Sequence, residues 1–132
     1  MEHIPQNDIV PILKECHRLL RKGGIISLTI DYLDHWSYFD QNVSAYNFLK
    51  YSEQEWRKYN PALHYQNRLR HKDYFTAISQ TDFEIVENHP KMPLEEDLGG
   101  LNRMKIAPIF HNNYSIEELA VKSSSIILRK KA

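Results

Sequence analysis

The chain has 132 residues, enough for one domain with its own core and too few for two. Its 17 basic and 17 acidic residues cancel, which removes any global electrostatic case for nucleic acid or a membrane surface. Apolar content of 42% is ordinary for a folded chain; no apolar run nears the roughly 20 residues of a membrane span and no secretory leader is legible, so the expected setting is cytoplasmic.

Ile9, Ile12, Leu13, Cys16, Leu19 and Leu20 recur at the spacing of one helical face. Asn7 or Asp8 is the expected cap, Pro11 lies early enough to be tolerated, and Arg18, Arg21 and Lys22 suit the last turn. Gly23 and Gly24 supply the stop. Cys16, the one cysteine, falls on the apolar face and reads as a buried, inert thiol. Ile25, Ile26, Leu28 and Ile30 predict a strand buried on both faces.

From Asp31 to Tyr65 the chain turns aromatic, with Tyr32, Trp36, Tyr38, Phe39, Tyr46, Phe48, Tyr51, Trp56 and Tyr59 among acids, amides and serines. Ser52 and Glu55 form a capping box for a short helix from about 53 to 59, which Pro61 ends. An insertion of this kind forms either a lid or substrate wall, or a satellite aromatic core. A helix from Asp73 to about Gln80 turns Tyr74, Phe75 and Ile78 inward and leads to a strand at 83–88. Asp82 stands at the turn between them, where it tolerates a left-handed conformation less readily than glycine. An extended connection follows, with one helical turn at Leu94–Leu98 and a second capping box at Ser115 and Glu118 opening a helix over 116–121. A strand at 123–129 and a solvated tail of Arg129, Lys130 and Lys131 complete the reading.

The E-H-I-P turn at Glu2–Pro5, the helix ending L-L-R-K-G-G and the strand after it resemble the second half of a class I S-adenosylmethionine-dependent methyltransferase. In that family such a turn follows the fourth strand of a Rossmann-like sheet, and the strand after G-G is the fifth. D-Y-F-T-A-I leading to F-E-I-V resembles the approach to the sixth strand, and S-S-S-I-I-L-R-K-K is similar to the last, antiparallel one. The resemblance implies an α/β fold: a partial Rossmann-like sheet of the fifth, sixth and seventh strands, the seventh lying between the others. Residues 1–31 would form the helix and strand unit, 32–72 the aromatic insertion and 73–132 the remainder of one domain. Gly23, Gly24, Gly99 and Gly100 are the only glycines, and no G-x-G-x-x-G pattern exists. The family's cofactor loop lies upstream of the E-H-I-P turn, so the chain reads as the substrate-side half.

Ligands of open α/β sheets bind beyond the carboxyl ends of strands, which directs attention to Asp31, Asp34 and His35. Methyl transfer to oxygen or nitrogen needs a base near the acceptor. His35 is the candidate, with Asp31 or Asp34 orienting it or gripping the acceptor's hydroxyls. Turn and capping roles are the plainer alternatives for each. By the resemblance, Glu2 and His3 line the cofactor and acceptor cleft. Tyr32, Trp36 and Tyr38 are candidates to stack on a sugar or aromatic acceptor, against simple packing. Arg68 and Arg70 share a side if extended and suit an anionic acceptor group, against pairing with local acids such as Asp73. No ligand spacing points to a metal.

Three functions stay open. One is a methyltransferase fragment for a small-molecule or sugar acceptor, inactive without S-adenosylmethionine and the half that cradles it. The second is a non-catalytic module that forms a homodimer or exchanges domains through an open sheet edge. The third is an aromatic-lined carbohydrate-binding domain.

Overall fold

The computed structural model describes residues 1–131, beginning with helix α1, Gln6–Leu19. Pro5, rather than Asn7 or Asp8, takes the N-cap position, and no side chain caps the first amides. Pro11 lies inside the helix and removes one interior donor. The buried stripe is narrower than the periodicity predicts. Ile9 and Leu13 are in the core, Cys16 and Leu20 are half-buried against it, and Ile12 and Leu19 face solvent. The helix ends as expected, in a turn where Gly23 has a left-handed φ of 72°, the one positive φ among the described residues. Asp82 therefore does not adopt that conformation. At Gly24 a Cβ would lie 2.9 Å from the Arg21 carbonyl oxygen, so only glycine fits.

Strand β1, Ile25–Asp31, leaves this turn and pairs antiparallel with β3, Ser123–Lys130, from Ile25 opposite Arg129 to Asp31 opposite Ser123. Strand β2, Phe83–Lys91, pairs antiparallel with the other side of β3, with a bulge between Ile85 and Glu87. The sheet order is β1-β3-β2, so β1 and β2 run in the same direction and each offers a free edge among the described residues. The molecule is thus α/β, with a three-stranded antiparallel sheet. Helix α1 and helix α3, His71–Ser79, cover one sheet face: Ile9, Leu13, Tyr74 and Ile78 pack on Leu28, Ile30, Ile126 and Leu128. The other face is barer than a strand buried on both sides predicts. Ile25, Ser27 and Thr29 are all exposed there.

The aromatic insertion divides its rings between two roles. Tyr46, Phe48 and Trp56 join a second core with Leu101, Phe110 and Leu119, while Trp36, Tyr38, Phe39 and Tyr59 stay at the surface. Three short 3-10 turns, His35–Tyr38, Asn47–Lys50 and Ala62–His64, carry the chain around this core. Helix α2, Glu53–Tyr59, closes the Ser52–Glu55 capping box, and α6, Ile116–Ala120, closes that of Ser115 and Glu118. The single turn expected near Leu94 is a nine-residue helix, α4, Glu95–Arg103, that runs through both Gly99 and Gly100. A last short helix, α5, spans Pro108–His111. No described helix is long and apolar enough to cross a membrane.

The expected solvated tail is also corrected at one residue. Lys130 belongs to β3, and its ammonium donates to the carbonyls of His17 at 2.7 Å and Leu20 at 2.8 Å. It closes the carboxyl end of α1 with a cation, where the exposed carbonyls and the helix dipole favour one.

Candidate functional site

Beyond the carboxyl end of β1 three segments meet: the Glu2–Pro5 turn, the loop of Asp31–Phe39, and the run of residues 62–66. They enclose a cleft of about 430 Å³ lined by His3, His35, Trp36, Phe39, Trp56 and Tyr65, among others. Gln66 and Asn67 hold the meeting together. The Gln66 side chain donates to the Leu33 carbonyl at 2.6 Å and accepts from the His35 amide at 3.1 Å. The Asn67 amide donates to the Glu2 carbonyl at 2.7 Å, and its side chain donates to the Ile4 carbonyl at 2.7 Å. Two adjacent amide side chains thereby fasten one wall each. Periodicity and motif gave no signal for either.

His35, the candidate base, lies at the cleft with its Nε2 3.3 Å from Asp31 Oδ2. That nitrogen is buried and closes no hydrogen bond. The ring sits between those of His3, at a centroid distance of 5.0 Å, and Tyr38, at 5.4 Å. Asp31 accepts from the Tyr38 hydroxyl and from the Leu33 amide, so its carboxylate is already shared between loop and strand. Burial raises the Tyr38 phenol, and the Asp31 carboxylate raises it further. Glu2 feels opposing effects. Burial pushes its carboxyl up, but backbone hydrogen bonds and the Met1 ammonium, 3.0 Å away, outweigh that and hold it below the ordinary range. His3 is more exposed, and its Nδ1 lies 2.9 Å from the Tyr65 carbonyl oxygen. An imidazole can meet a carbonyl only by donating, so Nδ1 carries a proton and Nε2 is the ring atom turned toward Glu2.

Other expected site residues are placed elsewhere. Asp34 is fully buried; its Oδ1 caps the 3-10 turn at the Trp36 amide, 3.0 Å away, and its Oδ2 has no hydrogen-bond partner. Burial raises its carboxyl against that capping bond. It shapes the loop and does not reach an acceptor. Tyr32 is a core residue, its hydroxyl 2.6 Å from Ser124 Oγ and 3.0 Å from His71 Nδ1. Burial pushes the phenol up to about 12. No ring face of Tyr32 is left for stacking.

Arg68 and Arg70 are corrected in the same sense. Extended backbone does alternate them onto one side, but that side is the interior. Arg68 donates to the Phe48 carbonyl at 2.8 Å and the Tyr51 carbonyl at 2.6 Å, and pairs with Glu53 at 2.7 Å. Arg70 donates to the carbonyls of Tyr32, at 2.8 Å, and Leu119, at 3.3 Å. Burial lowers its guanidinium to about 10, and it stays charged at neutral pH. The Arg70 fork is taken by backbone oxygens where the two cores meet, and the Arg68 fork by two carbonyls and the Glu53 carboxylate, so neither greets an anionic acceptor.

What remains is a cluster of Glu2, His3, Asp31, His35, Trp36 and Tyr38, drawn from two segments about 30 residues apart, of which His3, His35 and Trp36 line the cleft. Trp36 is 44% exposed and Phe39 81% exposed, so aromatic surface is presented at the mouth. The arrangement offers a lone pair or a proton at His3 and His35, negative charge at Glu2 and Asp31, and flat apolar faces for a ring. Comparison of the chain with models of known protein families, with curated proteins and with solved structures finds no match.

Proposed function

We propose that the chain is the acceptor-side part of a class I S-adenosylmethionine-dependent methyltransferase fold, acting on a small-molecule or sugar acceptor and inactive alone. The observation that carries this reading is the position of the E-H-I-P turn against the loop after β1, beyond that strand's carboxyl end. The sheet order, with the last strand antiparallel between the other two, agrees with the order that the resemblance implies. His35 is then the base nearest the acceptor, Asp31 orients it, and Trp36 and Phe39 supply stacking faces.

The cofactor itself fits these residues only in part. Gly23 and Gly24 lie at the opposite end of β1, and Gly99 and Gly100 lie in α4, so no glycine cradle borders the cleft. Glu2 and His3 would form one wall of the cofactor's site, and the negative charge of Glu2 suits a cationic methyl donor. No step of transfer is assigned to this chain by itself.

A second reading rests on the aromatic mouth of the cleft: a carbohydrate-binding module without catalysis. The two readings separate in one experiment, because both tryptophans of the chain, Trp36 and Trp56, line the cleft. Titrating the full chain with S-adenosylhomocysteine, by calorimetry and tryptophan emission, is expected to give weak, saturable binding with a change in emission. No heat and no emission change at millimolar cofactor would take the cofactor's wall away from Glu2 and His3 and leave the methyltransferase reading for the fold alone. An emission response to simple sugars alone would favour the second.

A further inference from the structure

We propose that Glu2, His3 and His35 form a binding site for one divalent transition-metal ion, with an open coordination position toward the cleft. The proposal deepens the methyltransferase reading, for which such an ion would hold an acceptor oxygen, but the site is argued from its own geometry. One ligand atom from each of the three side chains lies within 4.8 Å of the others. Glu2 Oε1 is 3.8 Å from His3 Nε2, while its Oε2 is taken by the Met1 ammonium. One carboxylate oxygen is thus left for the cluster. Four-coordinate ions with bonds near 2.0–2.1 Å set their ligand atoms about 3.4 Å apart. Closing from 4.8 Å needs small rotations of the three side chains.

Two further features suit a metal better than an idle cluster. The His3 Nδ1 proton is held by the Tyr65 carbonyl at 2.9 Å, which fixes the ring and leaves Nε2 as the ligand atom. Ligand histidines commonly have this second partner, which sets their tautomer and raises their basicity. His35 in turn keeps a buried Nε2 without a hydrogen bond, beside Asp31 Oδ2 at 3.3 Å. A buried ring nitrogen that finds no partner is costly, and a metal or a shared proton would satisfy the pair. Two imidazoles and one carboxylate select zinc-like ions over magnesium, which demands an oxygen shell. Three protein ligands leave a fourth position, and His3 and His35 both border the cleft. A hydroxyl or carboxylate oxygen of a bound ligand would complete the shell there.

The test uses metal and the full chain alone, without cofactor or acceptor, so its failure leaves the methyltransferase reading intact. Calorimetry with Zn²⁺ is expected to show one site, and Co²⁺ to develop visible absorption bands with the same stoichiometry. A tenfold excess of Mg²⁺ should not displace either. Glu2→Gln and His3→Gln should each weaken binding at least about tenfold, since loss of even an outer-shell partner costs that much. His64→Ala removes another imidazole at the same cleft and should leave affinity unchanged. His3 is exposed and Glu2→Gln keeps its shape, so both variants should fold, which circular dichroism checks. Absence of saturable Zn²⁺ binding overturns the proposal. So does binding that the Glu2 and His3 variants leave intact.

Discussion

Arg70 shows how the fold consumes residues that look free to act. Its side chain is 1% exposed, yet it carries a charge into the junction of the two cores and spends its donors on the carbonyls of four residues. Removing the guanidinium would strand those oxygens away from water. Arg70→Met, which keeps the length and the apolar stem, is expected to cost about 3 kcal/mol or more in denaturant unfolding. A loss under about 1 kcal/mol would return Arg70 to the set of residues available to a ligand. The same residues mark what was legible in the chain. Alternation does place Arg68 and Arg70 on one side, but which side depends on carbonyls at Tyr32, Phe48, Tyr51 and Leu119, remote in sequence. Asp31 and His35 were legible as candidates because one ends an apolar strand and the other lies in the loop just beyond it. Gln66 was not, because the loop that it fastens lies 31 residues away and an amide bears no charge to announce its role.

Among the elements, those defined by local chemistry match their sequence signals most closely. The two S-x-x-E boxes close with both reciprocal bonds, and the Gly23–Gly24 turn ends α1. Elements that depend on distant partners differ more. α4 persists through two glycines because Leu101 is buried in the second core and Asp97 is held by Lys122 at 3.0 Å. Packing there outweighs a poor intrinsic propensity. The carboxyl end of α1 depends on Lys130, across 113 residues of chain from His17. Lys130→Met should remove about 1 kcal/mol of stability and lower the melting temperature, whereas Lys131→Met, at an exposed position, should leave it unchanged. Equal melting temperatures for the two variants would show that the ammonium closes nothing.

At the scale of the whole molecule, the sheet has two free edges and one bare face. β1 pairs only with β3 among the described residues, and Ile25 at its start is 59% exposed. An open strand with apolar side chains beside it is a template for another chain. Sedimentation velocity at micromolar concentration is expected to show a dimer or larger species; a single monomeric boundary would mean that the β1 edge does not recruit a second copy. The order of the strands has a further consequence, for synthesis. The two flanking strands never touch, and the strand that joins them leaves the ribosome last. Until β3 emerges, neither β1 nor β2 has a hydrogen-bonding partner in the sheet, and each α-helix that covers them has only half a floor to rest on. Long-range pairing of this kind closes slowly. The nascent chain therefore passes through a stage with apolar strands on offer and no native way to satisfy them, when a chaperone would be of most use.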